Sequence, residues 1–182
     1  ADQSDVTTTI TKLFFVGAVA KVFQPTMKFD YVLDLVGGQG AGKTTLLKKM
    51  GGKFYTDQFT DFRDKDSYAI MLRALIVNDD EMTASNNSSF EDLKKFVSAE
   101  QLEFRSPYNR RPERRAKSFV LARTTNEYTY LKDKTGERRF LPVLADIDRQ
   151  KYHPVTDMDK DIVQQLWGEF VGYYKAGFDF GM

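Results

Sequence analysis

The 182-residue chain contains no cysteine. Disulfides, zinc–thiolate sites and cysteine nucleophiles are thereby excluded, and the composition fits a reducing cytosol. A single histidine, His153, argues against histidine-based metal sites and a Ser–His triad; beside Pro154 it reads as a loop residue. An excess of either charge is also missing: 27 Lys and Arg face 26 Asp and Glu, a net charge of +1. The chain as a whole is therefore not a strongly basic nucleic-acid binder, and any electrostatic footprint is local. No apolar run is expected to reach membrane-spanning length, and the N-terminus shows no basic-then-apolar signal pattern. The opening Ala1-Asp2-Gln3-Ser4-Asp5 has no initiator Met, as an internal cut or a processed end would leave it.

What is present is ordinary globular material, 41% hydrophobic with 15 Phe and 9 Tyr, enough for one α/β domain with a core. Helical spacing of Ile10, Leu13, Phe14, Val16 and Val19 predicts a lead-in helix within 1–28, closed by Pro25. A core over 29–145 follows. Its expected strands are Tyr31–Val36, Ala74–Val77, Ser118–Ala122 and Arg139–Val143, with a helix near Phe90–Val97. Over 146–182 the spacing of Ile162, Leu166, Trp167, Phe170 and Tyr174 predicts an amphipathic closing helix. Short, nearly all-apolar strands imply burial on both faces, hence a mainly parallel sheet flanked by helices. Such sheets bind ligands at the carboxyl ends of their strands, where this chain's polar motifs fall.

The strongest motif is Gly37-Gly38-Gln39-Gly40-Ala41-Gly42-Lys43-Thr44, between the first strand and a helix over Thr44–Met50 that Gly51-Gly52 ends. Strand, glycine-rich loop and helix form a P-loop. Glycines allow successive N–H groups to converge on phosphate oxygens at a helix N-terminus. Here Gly38, Gln39, Gly40, Ala41, Gly42, Lys43, Thr44 and Thr45 would hold ATP, with Lys43 on the β- and γ-phosphates and Thr44 on Mg²⁺. Asp80-Glu81 follows the second strand: Asp80 is expected on Mg²⁺ and Glu81 on the attacking water, with Asp79 a third candidate for register. Asn126, past the third strand, is either a γ-phosphate contact or a turn residue. The stretch from Phe104 to Lys117 holds Arg105, Arg110, Arg111, Arg114, Arg115 and Lys117 with Tyr108 interleaved, which favours nucleic acid over a merely solvated hairpin. Arg138 and Arg139 are either fingers acting on a neighbouring subunit's nucleotide or partners of Asp133 or Glu137.

In order along the chain, Gly37 to Thr45, Met50 to Tyr55, Lys65-Asp66, Asp80-Glu81, Phe104 to Arg111, Thr124 to Glu127 and Leu131 to Val143 resemble the virulence-associated protein E family. These are P-loop ATPases of phages and mobile elements, similar to superfamily 3 helicases. Where family members often carry a Glu before the acidic pair, this chain has Asn78. The resemblance implies a P-loop NTPase of AAA+ type, with an ATP site between subunits of a ring such as a hexamer. It implies that Asn126 is a sensor, that Arg138 or Arg139 is a finger, and that 104–117 is a hairpin facing DNA. It further implies DNA unwinding in replication, in a bacterial host's cytoplasm, by a motor that a primase region often accompanies. Two readings remain beside it: a small-molecule kinase, and a nucleotide-binding assembly module with little activity alone.

Overall fold

The computed structural model describes residues 4–105, 110–129 and 137–181. Helix α1 (Asp5–Phe23) starts where the Ser4 hydroxyl accepts the Thr7 N–H, and it ends at Gln24, just before Pro25. Strand β1 (Val32–Val36) leads into the glycine-rich loop and helix α2 (Lys43–Gly51). A two-residue strand β2 (Tyr55–Thr56), helix α3 (Tyr68–Met71) and strand β3 (Ile76–Asp79) come next. Helices α4 (Thr83–Asn87) and α5 (Phe90–Ser98) precede a hairpin of β4 (Gln101–Phe104) and β5 (Glu113–Ala116). Strands β6 (Val120–Thr125) and β7 (Phe140–Leu144) and helix α6 (Lys160–Lys175) complete the chain.

The five-stranded sheet has the order β2-β3-β6-β1-β7, and every pairing is parallel. Its edges are blunted: β2 is two residues long, and β7 carries Pro142, which an edge tolerates. Alternation along each strand fills both faces. On one face Leu33, Leu35, Ile76, Val120 and Val143 meet Phe14 and Phe15 of α1 and Leu47 of α2. There Phe15 stacks on Phe170 of α6 at 5.0 Å. On the other face Val32, Val77, Leu121 and Phe140 meet Phe62, Phe96 and Phe119. The α/β architecture with a mainly parallel sheet is thus as expected.

Three differences have physical causes. Helix α1, at 19 residues and mean hydropathy 1.5, is long and apolar enough to cross a membrane, contrary to expectation. Its stretch from Phe14 to Lys21 is buried in the domain, so core packing accounts for that composition. Strand β3 runs on through Asn78 and Asp79, and β6 through Arg123, Thr124 and Thr125, all buried polar residues beyond the expected strand ends at Val77 and Ala122. Arg123 is bonded to Asp34 through Nε (2.7 Å) and Nη2 (2.5 Å), across β6 and β1 in the middle of the sheet.

Candidate functional site

The loop after β1 is clamped between two neighbours. The Gly37 N–H donates to the Thr125 carbonyl at 3.1 Å, and the Ala145 N–H donates to the Val36 carbonyl at 2.7 Å. A side chain at Gly37 would place its Cβ 2.0 Å from the Ala145 carbonyl oxygen, so only glycine fits. Gly40 (φ 84°) and Gly42 (φ 76°) occupy the left-handed region that glycine adopts freely. The chain then enters α2 at Lys43, whose ammonium turns back into the loop. It donates to the carbonyls of Gly37 (2.6 Å) and Gly38 (2.9 Å) and to Asn126 Oδ1 (2.9 Å). Burial lowers the Lys43 pKa, while Asp80 and Glu81 pull it back up.

Because β6 lies between β1 and β3, the ends of all three strands meet here. Asp80 Oδ1 accepts from the hydroxyls of Thr44 (2.6 Å) and Thr124 (2.9 Å) and from Asn78 Nδ2 (3.3 Å). Asn78 also donates to the Tyr55 hydroxyl at 2.9 Å, which in turn donates to Asp57 at 3.1 Å. Burial pushes the Tyr55 phenol up. Glu81 and Met82 both adopt positive φ, 53° and 51°. Two consecutive left-handed non-glycine residues are costly, and here they turn the chain so that Glu81 lines the cleft.

Asp79, the alternative register, faces elsewhere. Its carboxylate accepts from the Ala84 N–H (2.7 Å), the Ser85 N–H (2.9 Å) and the Ser85 hydroxyl (2.6 Å) at the start of α4. Burial pushes its pKa up despite those bonds. The cleft is lined by Gln39 to Thr45, Glu81, Thr124, Thr125, Asn126 and Val155. It therefore gathers Lys43, Thr44, Glu81 and Asn126 as the sequence anticipated, with Asp80 bonded to two of the threonines at its floor. Thr124 and Asn78 were missed. Thr124 stood inside a quoted motif, but nothing in the sequence aimed its hydroxyl at Asp80.

The remaining predicted residues that the structure describes lie at the opposite end of the sheet. The hairpin leaves Arg105, Arg110, Arg111, Arg114 and Arg115 exposed; Tyr108 lies outside the described residues. Arg114 pairs with Glu103 (2.6 Å) and Arg115 with Glu113 (2.9 Å), both exposed. Lys117 requires a correction: it is 5% exposed, and its ammonium donates to the Phe96 carbonyl (3.2 Å) and to that of Val97 at the end of α5. Burial, with Lys21 nearby, lowers its pKa to about 7. A lysine folded onto a helix C-terminus satisfies orphan carbonyls and presents no charge to a polyanion. Arg139 pairs with Asp30 (2.9 Å); Asp133 lies outside the described residues. Arg138 is exposed, and Leu131 to Gly136 lie outside the described residues.

A family model for the Virulence-associated protein E-like domain matches residues 1–182. No match is found among curated proteins. Among solved structures, the A form apo structure of the NrS-1 C-terminal region is similar at TM-score 0.54 and 18% identity, covering 98% of this chain and 46% of that one. A second apo structure of that region matches at TM-score 0.52 and 17% identity, covering 96% and 44%. The chain spans less than half the length of these structures, and the likeness at such identity concerns the fold.

Proposed function

Since the chain belongs to the virulence-associated protein E-like domain family, we propose that it is a P-loop ATPase of AAA+ type, the motor of a DNA helicase in phage or mobile-element replication. The observation that carries this reading is the 2.6 Å bond between Thr44 and Asp80. It joins the first turn of the helix after the glycine-rich loop to the acidic end of β3. Asn126, just past β6, meets Lys43 beside it.

The donor set suits Mg²⁺, which is usually held by one or two carboxylates together with substrate phosphates. Thr44 and Asp80 supply the protein's oxygens. Among the described residues no cluster of three His, Cys, Asp or Glu could hold a metal, so the substrate phosphates would have to complete the shell. When bound, Mg²⁺ would neutralise charge on the phosphate oxygens. The chain's own groups do the rest. Lys43 exchanges the carbonyls of Gly37 and Gly38 for phosphate oxygens, Glu81 orients water, and Asn126 contacts the terminal phosphate.

Arg138 sits before β7, whose residues Phe140 to Leu144 pair with Val32 to Val36. At ~3.3 Å per residue it is thus roughly 23 Å below Gly37, where the phosphate loop begins, and in a ring would act on a neighbouring subunit. Arg139, held by Asp30, is the weaker candidate. The hairpin would meet DNA through Arg105, Arg110, Arg111, Arg114 and Arg115. Steady-state ATPase rate against protein concentration, with and without single-stranded DNA, tests the proposal. A rate per subunit that climbs with concentration and again with DNA is expected; flat, DNA-insensitive turnover would sink the ring motor.

A further inference from the structure

Between β7 and α6, residues 145–158 run back along the phosphate loop as a strap. Gln150 Nε2 donates to the Ala41 carbonyl at 2.8 Å, and His153 Nε2 lies 3.0 Å from the Gly40 carbonyl oxygen. A Cβ on Gly42 would sit 3.0 Å from the Pro154 ring. Lys49 of α2 holds the strap in turn, donating to the carbonyls of Pro154 (2.7 Å), Val155 (3.1 Å) and Met158 (2.9 Å).

The tautomer of His153 follows from its partners. A carbonyl only accepts, so Nε2 carries the proton. The Val155 N–H only donates, at 3.2 Å, so Nδ1 is the acceptor. The ring thus spans the strap and the loop. Gln150 is oriented just as narrowly. Its Oε1 is buried without a partner among the described residues, a cost tolerated because a flipped amide would set oxygen against the Ala41 oxygen.

These contacts bear on phosphate binding through peptide geometry. A trans peptide points its C=O and N–H in opposite directions. Drawing the Gly40 and Ala41 carbonyls to the strap turns the N–H groups of Ala41 and Gly42 away from it. The Ala41 N–H reaches the Gly38 carbonyl only at 3.4 Å, and the Gly42 N–H has no partner among the described residues. Successive N–H groups in such a loop are the donors from which an anion nest is built. The geometry points to Gln150 and His153 as positioning residues, which hold two peptide planes of the loop in the orientation that receives phosphate. This inference rests on the phosphate-binding reading above.

The test measures calorimetric affinity for Mg-ATP and for Mg-tripolyphosphate, which has phosphates but no nucleoside. The proteins compared are the full chain, Lys43→Ala, Gln150→Leu, His153→Leu and His153→Gln. Each Leu variant is expected to lose roughly three- to ten-fold in affinity for both ligands, the effect of one hydrogen bond. His153→Gln, which retains a donor, is expected to recover most of that loss. Unchanged affinity in the Leu variants overturns the inference, as does a loss with ATP alone or a Gln variant no better than Leu. If the Leu variants do not fold, Gln150→Glu keeps the shape but sets an acceptor against Ala41; full affinity there overturns the inference. Binding lost in Lys43→Ala but intact in every strap variant defeats this inference only. An unaltered chain that binds neither ligand defeats the phosphate-binding reading as well.

Discussion

Lys43 and Lys117 stand at opposite ends of the same sheet and share most of their local chemistry. Both are nearly buried, both donate to main-chain carbonyls, and burial lowers the pKa of both. They differ in what the ammonium faces. Lys43 looks past Asn126 towards Asp80 and Glu81 along an open cleft, and those carboxylates favour its charge. Lys117 faces another buried ammonium, Lys21, with Asp30 only partly offsetting it. A buried lysine held only by carbonyls can exchange them for a ligand where a ligand can reach it. Where none can reach, the same residue is a closing piece of the core.

The largest expected effect lies between the two ends. Arg123→Leu would strand the fully buried Asp34 carboxylate without its ion pair and cost about 3–5 kcal/mol in urea unfolding. An Asp34→Val/Arg123→Met double variant should recover most of that; a loss under 1 kcal/mol in the single variant would mean the pair is dispensable. Next, Lys43→Ala should weaken Mg-ATP binding by about a hundred-fold or more, the scale of a charge-assisted contact, with no loss of Tm. Unchanged binding by calorimetry would remove the P-loop assignment.

Lys117 should answer to pH instead of nucleotide. Its folded pKa of about 7 lies below the ordinary 10.5, so the unfolded chain binds more protons between those values. Stability should therefore rise with pH from about 7 towards 10, by up to about 1.4 kcal/mol per pH unit. Lys117→Met should flatten that rise in urea midpoints taken at pH 7, 8 and 9. An unaltered slope would show that the ammonium is not desolvated. The smallest effect belongs to the hairpin. Arg110→Glu/Arg111→Glu should weaken single-stranded DNA binding about ten-fold and reduce its salt slope by about 1.4. Lys117→Met should leave both unchanged, and a matching loss there would place Lys117 back on the DNA surface.

The sequence revealed the cleft's chemistry better than its walls. The glycine-rich loop and the acidic pair were legible because each follows directly on a short apolar strand, whereas Asn126 stood open between a ligand contact and a turn residue until the family resemblance singled it out. Strand ends were misjudged where polar residues are buried and bonded: Asn78, Asp79 and Arg123 look like loop residues to hydropathy. The register of Asp79 against Asp80 needed the backbone, since only the turn at Glu81 and the capping of α4 separate the two carboxylates. Lys117 was placed with the hairpin arginines because nothing in a run of basic residues indicates which one folds back onto a helix end. His153 read as a plain loop residue, and a loop it is. Its contact with Gly40, 113 residues away, has no local trace in the sequence.

The Asp34–Arg123 pair also works as a dowel. It joins β1 and β6 at directly opposed positions. Sliding one strand past the other by a single residue would throw Arg123 to the wrong face of the sheet. The strand that leads into the glycine-rich loop and the strand that leads to Asn126 are thus pinned in one register. Any shift of one strand along the other would therefore have to break a buried ion pair.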